Sequence, residues 1–356
     1  MERRPTGGEG PRALFKNAFS RAISIVLSGI LVFATLSFIA PANVAAAAES
    51  TVPPMVDNPA NAVTAAPLPT AQINGIAWDQ VIVGNTVYVG GEFTSARPAG
   101  AALGTNESPR QNLMSYNLTT GVMTSWAPNV NGRIRVITAS PDGSRLYIGG
   151  AFTTVNGQPR NRVAAFNTSD GSLVANWAPV VGADVFGIAV GSSAVYLGGW
   201  FSSINGVART RLGAVSVSSG ALTAWAPTAD FTVQSLGLTQ AEDRVIVSGG
   251  FSAINGVAAP SFTSLDAVTG EVYPFAVNQV INNSAINADS GQGAGVTSIK
   301  VVGNSVFATG WSYYRGNFEG MVKVDAYTGQ IQNLMECRGD TYDAVNQKFI
   351  DGKYAM

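Results

Sequence analysis

Short stretches of alternating apolar and polar residues, separated by turn residues, cover most of the chain after residue 72. In one copy four such stretches follow one another, at Arg133 to Ala139, Leu146 to Phe152, Val163 to Thr168 and Leu173 to Trp177. A period of two predicts strands. Between the first two, Ser140-Pro141-Asp142-Gly143 places Pro and Gly where a turn needs their backbone angles. The pattern predicts four antiparallel strands, named A to D here.

This group of strands recurs along the chain. A Gly-Gly pair in strand B returns at intervals of about 50 to 60 residues, at Gly90-Gly91, Gly149-Gly150, Gly198-Gly199 and Gly249-Gly250, with a degenerate Thr309-Gly310 after them. A Trp-Ala-Pro sequence ends the first three copies at Trp126, Trp177 and Trp225, and becomes Tyr273-Pro274-Phe275 in the fourth. Repeats of this length, built from short strands, indicate a β-propeller, whose blades bury their faces only against neighbours.

The predicted fold is all-β, a β-propeller of four-stranded antiparallel blades preceded by a signal peptide helix. Five copies are complete and a sixth begins, with approximate boundaries at 73–128, 133–179, 184–227, 232–275, 296–334 and 341–356. The Gly-Gly pairs are expected where a neighbouring group leaves no room for a side chain. The Trp side chains are expected in the core between sheets. Because an unfinished blade leaves an open sheet edge, we expect a truncated product or fragment.

Residues 1–48 are predicted to be a secretory signal peptide. Basic residues precede an apolar run from Ala22 to Ala40, and the alanine tract Ala45 to Ala48 follows it. The alternative is an uncleaved anchor, since the run is just long enough to span a bilayer. Its Ser, Thr and Gly residues and the alanine tract favour cleavage. Residues 49–72 form a Pro- and Ala-rich linker, and the mature protein is expected to be secreted or at the cell surface.

The amino-acid composition argues against several classes of function. The chain contains no His, which excludes His-based catalytic triads and the usual zinc sites. It carries 21 basic and 22 acidic residues, and five of the basic ones precede Ala22. The remainder is mildly acidic, which argues against a nucleic-acid partner. Contact with a membrane is expected only through the signal segment before cleavage. Cys337 is an unpaired thiol in a predicted secreted chain.

The repeat motif resembles that of a known group. Copies such as Tyr147 to Pro179 and Tyr196 to Pro227 are similar to the secreted β-propeller proteins of actinobacteria in the delta-60 (NHL- or kelch-like) repeat group. The stretch Cys337-Arg338-Gly339-Asp340-Thr341-Tyr342-Asp343 is similar to an element that follows the repeats there, although the later Cys of that group is missing. The resemblance implies a secreted or surface scaffold and no particular reaction.

Departures from the repeat are the candidates for function. The first copy has an insertion around Arg97 to Ser108, the connection Val277 to Gly295 is long, and Trp311 to Phe318 matches no other copy. In an antiparallel blade the B–C loops and the D-to-A crossovers share one end, so all three departures fall on one face. Variable loops on a rigid scaffold commonly bind ligands. This end, called the crossover face here, is therefore the predicted ligand face.

Two groups of side chains on the crossover face are candidate ligand contacts. The first is an aromatic platform for a sugar or peptide, formed by Trp311, Tyr313, Tyr314 and Arg315. The second is a recurring arginine before strand C, at Arg110, Arg160 and Arg209. Such a ring of arginines suits an anion or a sugar acid, but the favoured interpretation is that each arginine holds the carbonyls of its own loop.

The preferred function is a non-catalytic secreted or surface scaffold that binds an extracellular glycan or protein, without a cofactor. The alternative is a carbohydrate-active hydrolase or lyase that uses carboxylates such as Glu92, Glu107 and Asp289. No catalytic residue is assigned. Asn287 and Asp289 offer oxygen ligands for Ca²⁺, but a solvated loop is the favoured interpretation.

Overall fold

The computed structural model describes residues 70–283, 294–312 and 316–336. In chain order the strands are β1 (Gln72–Ile73), β2 (Ile76–Val83), β3 (Thr86–Glu92), β4 (Ser95–Arg97), β5 (Ser108–Pro109), β6 (Leu113–Asn117), β7 (Ile134–Ala139), β8 (Arg145–Gly150), β9 (Thr154–Val155), β10 (Gln158–Pro159), β11 (Val163–Asn167), β12 (Val185–Val190), β13 (Ala194–Gly199), β14 (Ser203–Ile204), β15 (Val207–Ala208), β16 (Leu212–Ser216), β17 (Val233–Leu238), β18 (Arg244–Gly249), β19 (Ala253–Ile254), β20 (Val257–Ala258), β21 (Phe262–Asp266), β22 (Val272–Tyr273), β23 (Ala294–Val302), β24 (Ser305–Ser312), β25 (Gly320–Asp325) and β26 (Ile331–Glu336). A 3₁₀ helix spans Ala276–Gln279.

Five antiparallel sheets follow one another, with the strand orders β2-β3-β6, β7-β8-β11, β12-β13-β16, β17-β18-β21-β22 and β23-β24-β25-β26. The A-B-C order is the one that the sequence predicts. Strand D forms a strand only in the last two sheets, with two residues in β22 and six in β26. In the second sheet it is reduced to a bridge between Phe166 and Leu173, because the chain then turns so that the indole of Trp177 reaches the next sheet. The prediction of a strand from Leu173 to Trp177 is therefore wrong in length.

The inner strands β2, β7, β12, β17 and β23 pack side by side in this order, and each carries a β-bulge. The extra residue of the bulge is Trp78, Arg135, Phe186, Gln234 or Thr297. A bulge redirects the side chain of its extra residue. All five lie near the beginning of their strands, which is the end where the D-to-A crossovers enter.

The core lies between neighbouring sheets, as the repeated Trp residues predict. Trp177 is fully buried and packs edge-to-face on Tyr147 with ring centroids 5.1 Å apart. Its Nε1 donates a hydrogen bond of 3.0 Å to the carbonyl of Ser216 in the next sheet. Trp126 and Trp225 donate in the same way to Gly171 and Asp266. Each indole thus stabilises the contact between two sheets.

The Gly-Gly pairs of the first three copies also lie where the sequence predicts a close approach, whereas in the fourth copy Ser248 and Gly249 take the equivalent positions. A Cβ on Gly149 would lie 2.8 Å from methyl groups of both Val136 and Val185. A Cβ on Gly150 would overlap the main-chain carbonyl of Arg133. Side chains of neighbouring strands therefore leave no room for a Cβ at the first glycine, and the backbone leaves none at the second.

Small ribbons in the B–C loops were not predicted. β9 pairs with β10, β14 with β15 and β19 with β20. Each ribbon turns at an Asn-Gly pair in which both residues have positive φ, for example Asn156 at 50° and Gly157 at 75°, as in a type I′ turn. The Asn156 side chain accepts a hydrogen bond of 2.7 Å from the amide of Asn129 in the crossover. The B–C loops are therefore tied to the crossovers.

Several predictions concern residues outside the described ranges. The signal peptide at 1–48, the linker up to residue 69 and the partial sixth blade at 341–356 belong to this group, and so does Cys337. They remain predictions. Within the described residues, no helix has both the length and the apolar character needed to cross a bilayer.

Candidate functional site

The five inner strands surround a cavity of about 930 Å³. Each inner strand contributes its bulge residue and the three or four residues after it to the lining. Such a volume lies at the upper end of ordinary small-molecule sites. At the crossover end the lining begins with the five bulge residues, called the bulge ring here, namely Trp78, Arg135, Phe186, Gln234 and Thr297.

Arg135 is the central charge of the bulge ring. Its guanidinium carbon lies 4.4 Å from the centroid of the Trp78 ring and 5.9 Å from that of Phe186. The Nε atom is buried and has no hydrogen-bond partner. Burial lowers the pKa of Arg135, and the charge of Arg133 adds to this effect, whereas Asp184 and Glu92 oppose it. An arginine remains protonated despite such a shift, so the ring holds a positive charge that two aromatic faces stabilise.

Two other arginines pack on aromatic rings, and the comparison distinguishes Arg135. Arg244 lies 3.8 Å from the centroid of Tyr273 and donates a hydrogen bond of 2.9 Å to the carbonyl of Tyr327. Arg211 lies 4.8 Å from the centroid of Trp200 and donates to the carbonyl of Ala229. Arg135 makes neither a hydrogen bond nor an ion pair with any described residue. Its hydrogen-bonding capacity is available to a ligand.

The cavity holds two further charged groups. Asp79 accepts hydrogen bonds from the amides of Gln80 at 2.8 Å and Ile137 at 2.9 Å. Burial raises its pKa, and these two bonds and the charge of Lys300 partly oppose the rise. Lys300 is exposed on β23 and also belongs to the lining. The described lining thus contains two cations and one carboxylate, which favours an anionic ligand.

The recurring arginines hold their own loops. Arg110 donates to the carbonyls of Pro109 and Thr124, and Arg209 donates to those of Ala208 and Thr223. Arg160 is only 5% exposed and donates to three carbonyls in the same way. These contacts agree with the structural interpretation of the three residues, and none of the three lines the cavity.

The predicted aromatic platform is described only in part. Trp311 is half-buried at the end of β24, while Tyr313, Tyr314 and Arg315 lie outside the described residues. The segment that follows is held by Asn283, a fully buried side chain. Its amide nitrogen donates to the carbonyls of Trp311 and Phe318, and its oxygen accepts from the amides of Asn317 and Phe318. Ligand binding by the platform stays a prediction.

The insertion of the first copy is stabilised internally. The Glu107 carboxylate accepts hydrogen bonds from the Ser95 hydroxyl at 2.6 Å and the Gly104 amide at 3.0 Å, and these bonds lower its pKa. Glu92 lies 3.9 Å from Arg133. Asp289, the third carboxylate of the catalytic alternative, lies outside the described residues. The catalytic alternative is therefore untested.

The predicted calcium ligands are not described either. Asn287 and Asp289 both fall in the range 284–293, which the structure leaves out. Among the described residues no three Cys, Asp or Glu side chains are grouped as metal ligands.

The bulge ring was missed at the sequence level, although the repeat contains a signal for it. Residues preserved in every copy serve the blade, whereas this inner-strand position is Trp, Arg, Phe, Gln and Thr in the five copies. The distance from this position to the Gly-Gly pair ranges from 12 to 15 residues because the A–B turns differ in length, so the position comes into register only when the beginnings of strand A are aligned.

Comparison with known proteins supports the architecture of the repeat. The family model described as a domain of unknown function (DUF5122) with a β-propeller fold matches residues 140–173, which contain β8 to β11. No curated protein matches the chain. The match covers one repeat, and together with the five all-β sheets it indicates that the chain contains repeats of the β-propeller type.

Proposed function

We propose that this protein is an exported, non-catalytic β-propeller scaffold that binds an extracellular ligand at its crossover face. The observation that carries the proposal is the position of the bulge ring. Its non-repeating residues open a cavity of about 930 Å³ at the end of the sheets that also carries the B–C loops. Residues that differ among otherwise regular repeats are available for recognition, because the blade does not need them.

The export part of the proposal comes from the amino terminus and from the resemblance of the repeats to secreted actinobacterial propellers of the delta-60 group. We expect a carboxy-terminally tagged full chain to appear in the culture medium or on the cell surface, with a new amino terminus near Glu49. A variant without residues 1–48 should remain inside the cell. Cytoplasmic retention of the full chain, with its amino terminus intact, would contradict export.

The binding part is tested with the purified mature chain. We expect retention on one class of extracellular glycan or surface protein in a panel of immobilised ligands, with no change in the ligand after prolonged incubation. Failure to bind any ligand of the panel would contradict the proposed function. Release of shortened saccharides, measured as new reducing ends, would favour the glycosidase alternative instead.

A further inference from the structure

We propose that the bulge ring binds an acidic sugar, and that Arg135 pairs with the carboxylate of that sugar. The proposal rests on the proposed binding role of the crossover face but not on export. It names a chemical class of ligand, the uronic acids and their oligosaccharides, and it places the site on the inner strands instead of on the variable loops.

Arg135 has unused capacity for an anion. Its fork of N–H donors matches the two oxygens of a carboxylate, which gives paired charge-assisted hydrogen bonds. The side chain is half-buried, and it donates to no described carbonyl or carboxylate, unlike Arg244 and Arg211. The surrounding carboxylates have other partners, since Glu92 lies near Arg133 and Asp184 lies 3.6 Å from Arg162.

The neighbours of Arg135 suit a sugar ring better than a bare inorganic anion. Trp78 is 44% exposed, so part of its indole is available as a flat apolar surface next to the guanidinium. Gln234 and Thr297 complete the ring with an amide and a hydroxyl. The Gln234 side chain makes no hydrogen bond to another described residue. An aromatic face, an amide and an arginine together match the C–H face, hydroxyls and carboxylate of a uronic acid.

Trigalacturonate is the probe, and its fully methyl-esterified form is the matched neutral control, because the two differ only in the ionised carboxylates. Binding to the purified mature chain is measured by calorimetry. Arg135→Met removes the charge and keeps a long apolar side chain between the rings. Arg244→Met is the matched variant, since Arg244 also lies between two aromatic rings, Tyr273 and Tyr327, but outside the cavity. Circular dichroism verifies that each variant is folded.

We expect trigalacturonate to bind and its methyl ester to bind at least about tenfold more weakly, as for the loss of charge-assisted hydrogen bonds. Arg135→Met should weaken binding of trigalacturonate by a similar factor, and Arg244→Met should leave it unchanged. Higher salt should also weaken binding. If Arg135→Met does not fold, Arg135→Lys keeps the charge without the fork and should lose part of the affinity.

Equal binding of the acid and its ester would overturn the acidic-sugar site, and so would unchanged affinity in the folded Arg135 variants. Equally tight binding of acetate or phosphate would overturn it as well, because the site would then be a general anion site. Binding of a neutral glycan with no trigalacturonate binding would also overturn it, while leaving the proposed scaffold function in place. If the protein bound none of the immobilised ligands, the proposed scaffold function would itself be contradicted.

Discussion

At the scale of single residues, Asn283 shows how a buried amide can organise a loop. The side chain is fully buried, and its two amide atoms make four hydrogen bonds to the backbone of Trp311, Asn317 and Phe318. We expect Asn283→Ala to lower the free energy of unfolding by about 3 kcal/mol, because it leaves buried backbone groups without partners. Urea denaturation measures the change. Asn333→Ala, at an exposed position, is the control and should change it by less than about 0.5 kcal/mol.

If both variants had the same stability, the described bonds of Asn283 would not be important for folding. No sequence pattern assigns this role, because Asn283 is one of several Asn residues in a polar stretch. Burial distinguishes Asn283 from the neighbouring Asn residues. A metal ligand must have an oxygen that is free to bind the metal, whereas Asn283 uses both amide atoms in hydrogen bonds within the fold.

At the scale of elements, the indoles between sheets offer an internal comparison. Trp177 is fully buried, whereas Trp126 is half-buried, although both donate to a carbonyl of the next sheet. We expect Trp177→Phe to cost about 2 to 3 kcal/mol, from a lost hydrogen bond and a cavity. Trp126→Phe should cost about 1 kcal/mol, because water can reach that site. Urea denaturation of the two variants tests the order, and an equal loss would contradict this account of the interfaces.

The elements also show how far the sequence alone could lead. The sequence predicts strands A to C, the close packing at the Gly-Gly pairs and the Trp contacts between sheets. These features follow from patterns that recur in the copies, because each blade uses the same alternation and packs on its neighbours. The ribbons were missed although the Asn-Gly pairs at Asn156, Asn205 and Asn255, each preceded by Val or Ile, are a turn signal. Strand D was predicted too long, because alternation cannot show that Trp177 leaves its own sheet. The ribbons depend on a local turn, whereas the end of strand D depends on the contact of Trp177 with the next sheet.

The candidate site was harder to predict than the fold. The B–C loops and the crossovers share one end of the sheets, as antiparallel connectivity requires, while ligand binding at this face stays a prediction. The cavity is formed by residues that are more than 200 positions apart in the chain, such as Trp78 and Thr297. No local pattern indicates that these residues share a ring. The recurring arginines donate to carbonyls of their own loops, whereas Arg135, at a variable position, donates to no described residue.

At the scale of the whole molecule, the charges of the cavity connect the first and last described sheets. Asp79 on β2 is influenced by the charge of Lys300 on β23, and it accepts a hydrogen bond from Ile137 on β7. Burial nevertheless raises the pKa of Asp79 above its usual value of 3.8. The folded protein therefore binds this proton more tightly than the unfolded chain does. In the pH range from about 3.8 up to the raised pKa, stability falls as the pH rises.

Asp79→Asn should remove this dependence, because no charge is buried. The amide oxygen can still accept from Ile137, and the bond from the exposed amide of Gln80 to the other carboxylate oxygen is replaced by water. We expect the variant to be at least as stable as the wild type at pH 7, and its stability to change less over the stated range.

Asp142→Asn is the control of opposite sign. Hydrogen bonds from Ser140 and Ser144 lower the pKa of Asp142 to about 2, so its contribution is present above the unfolded pKa and is lost as the pH falls toward 2. Urea denaturation between pH 3 and pH 8 separates the two variants. If the wild type and the Asp79→Asn variant had parallel pH profiles, Asp79 would be as well hydrated in the folded protein as in the unfolded chain. A cavity with that much water would also weaken the electrostatic attraction between Arg135 and the carboxylate of a ligand.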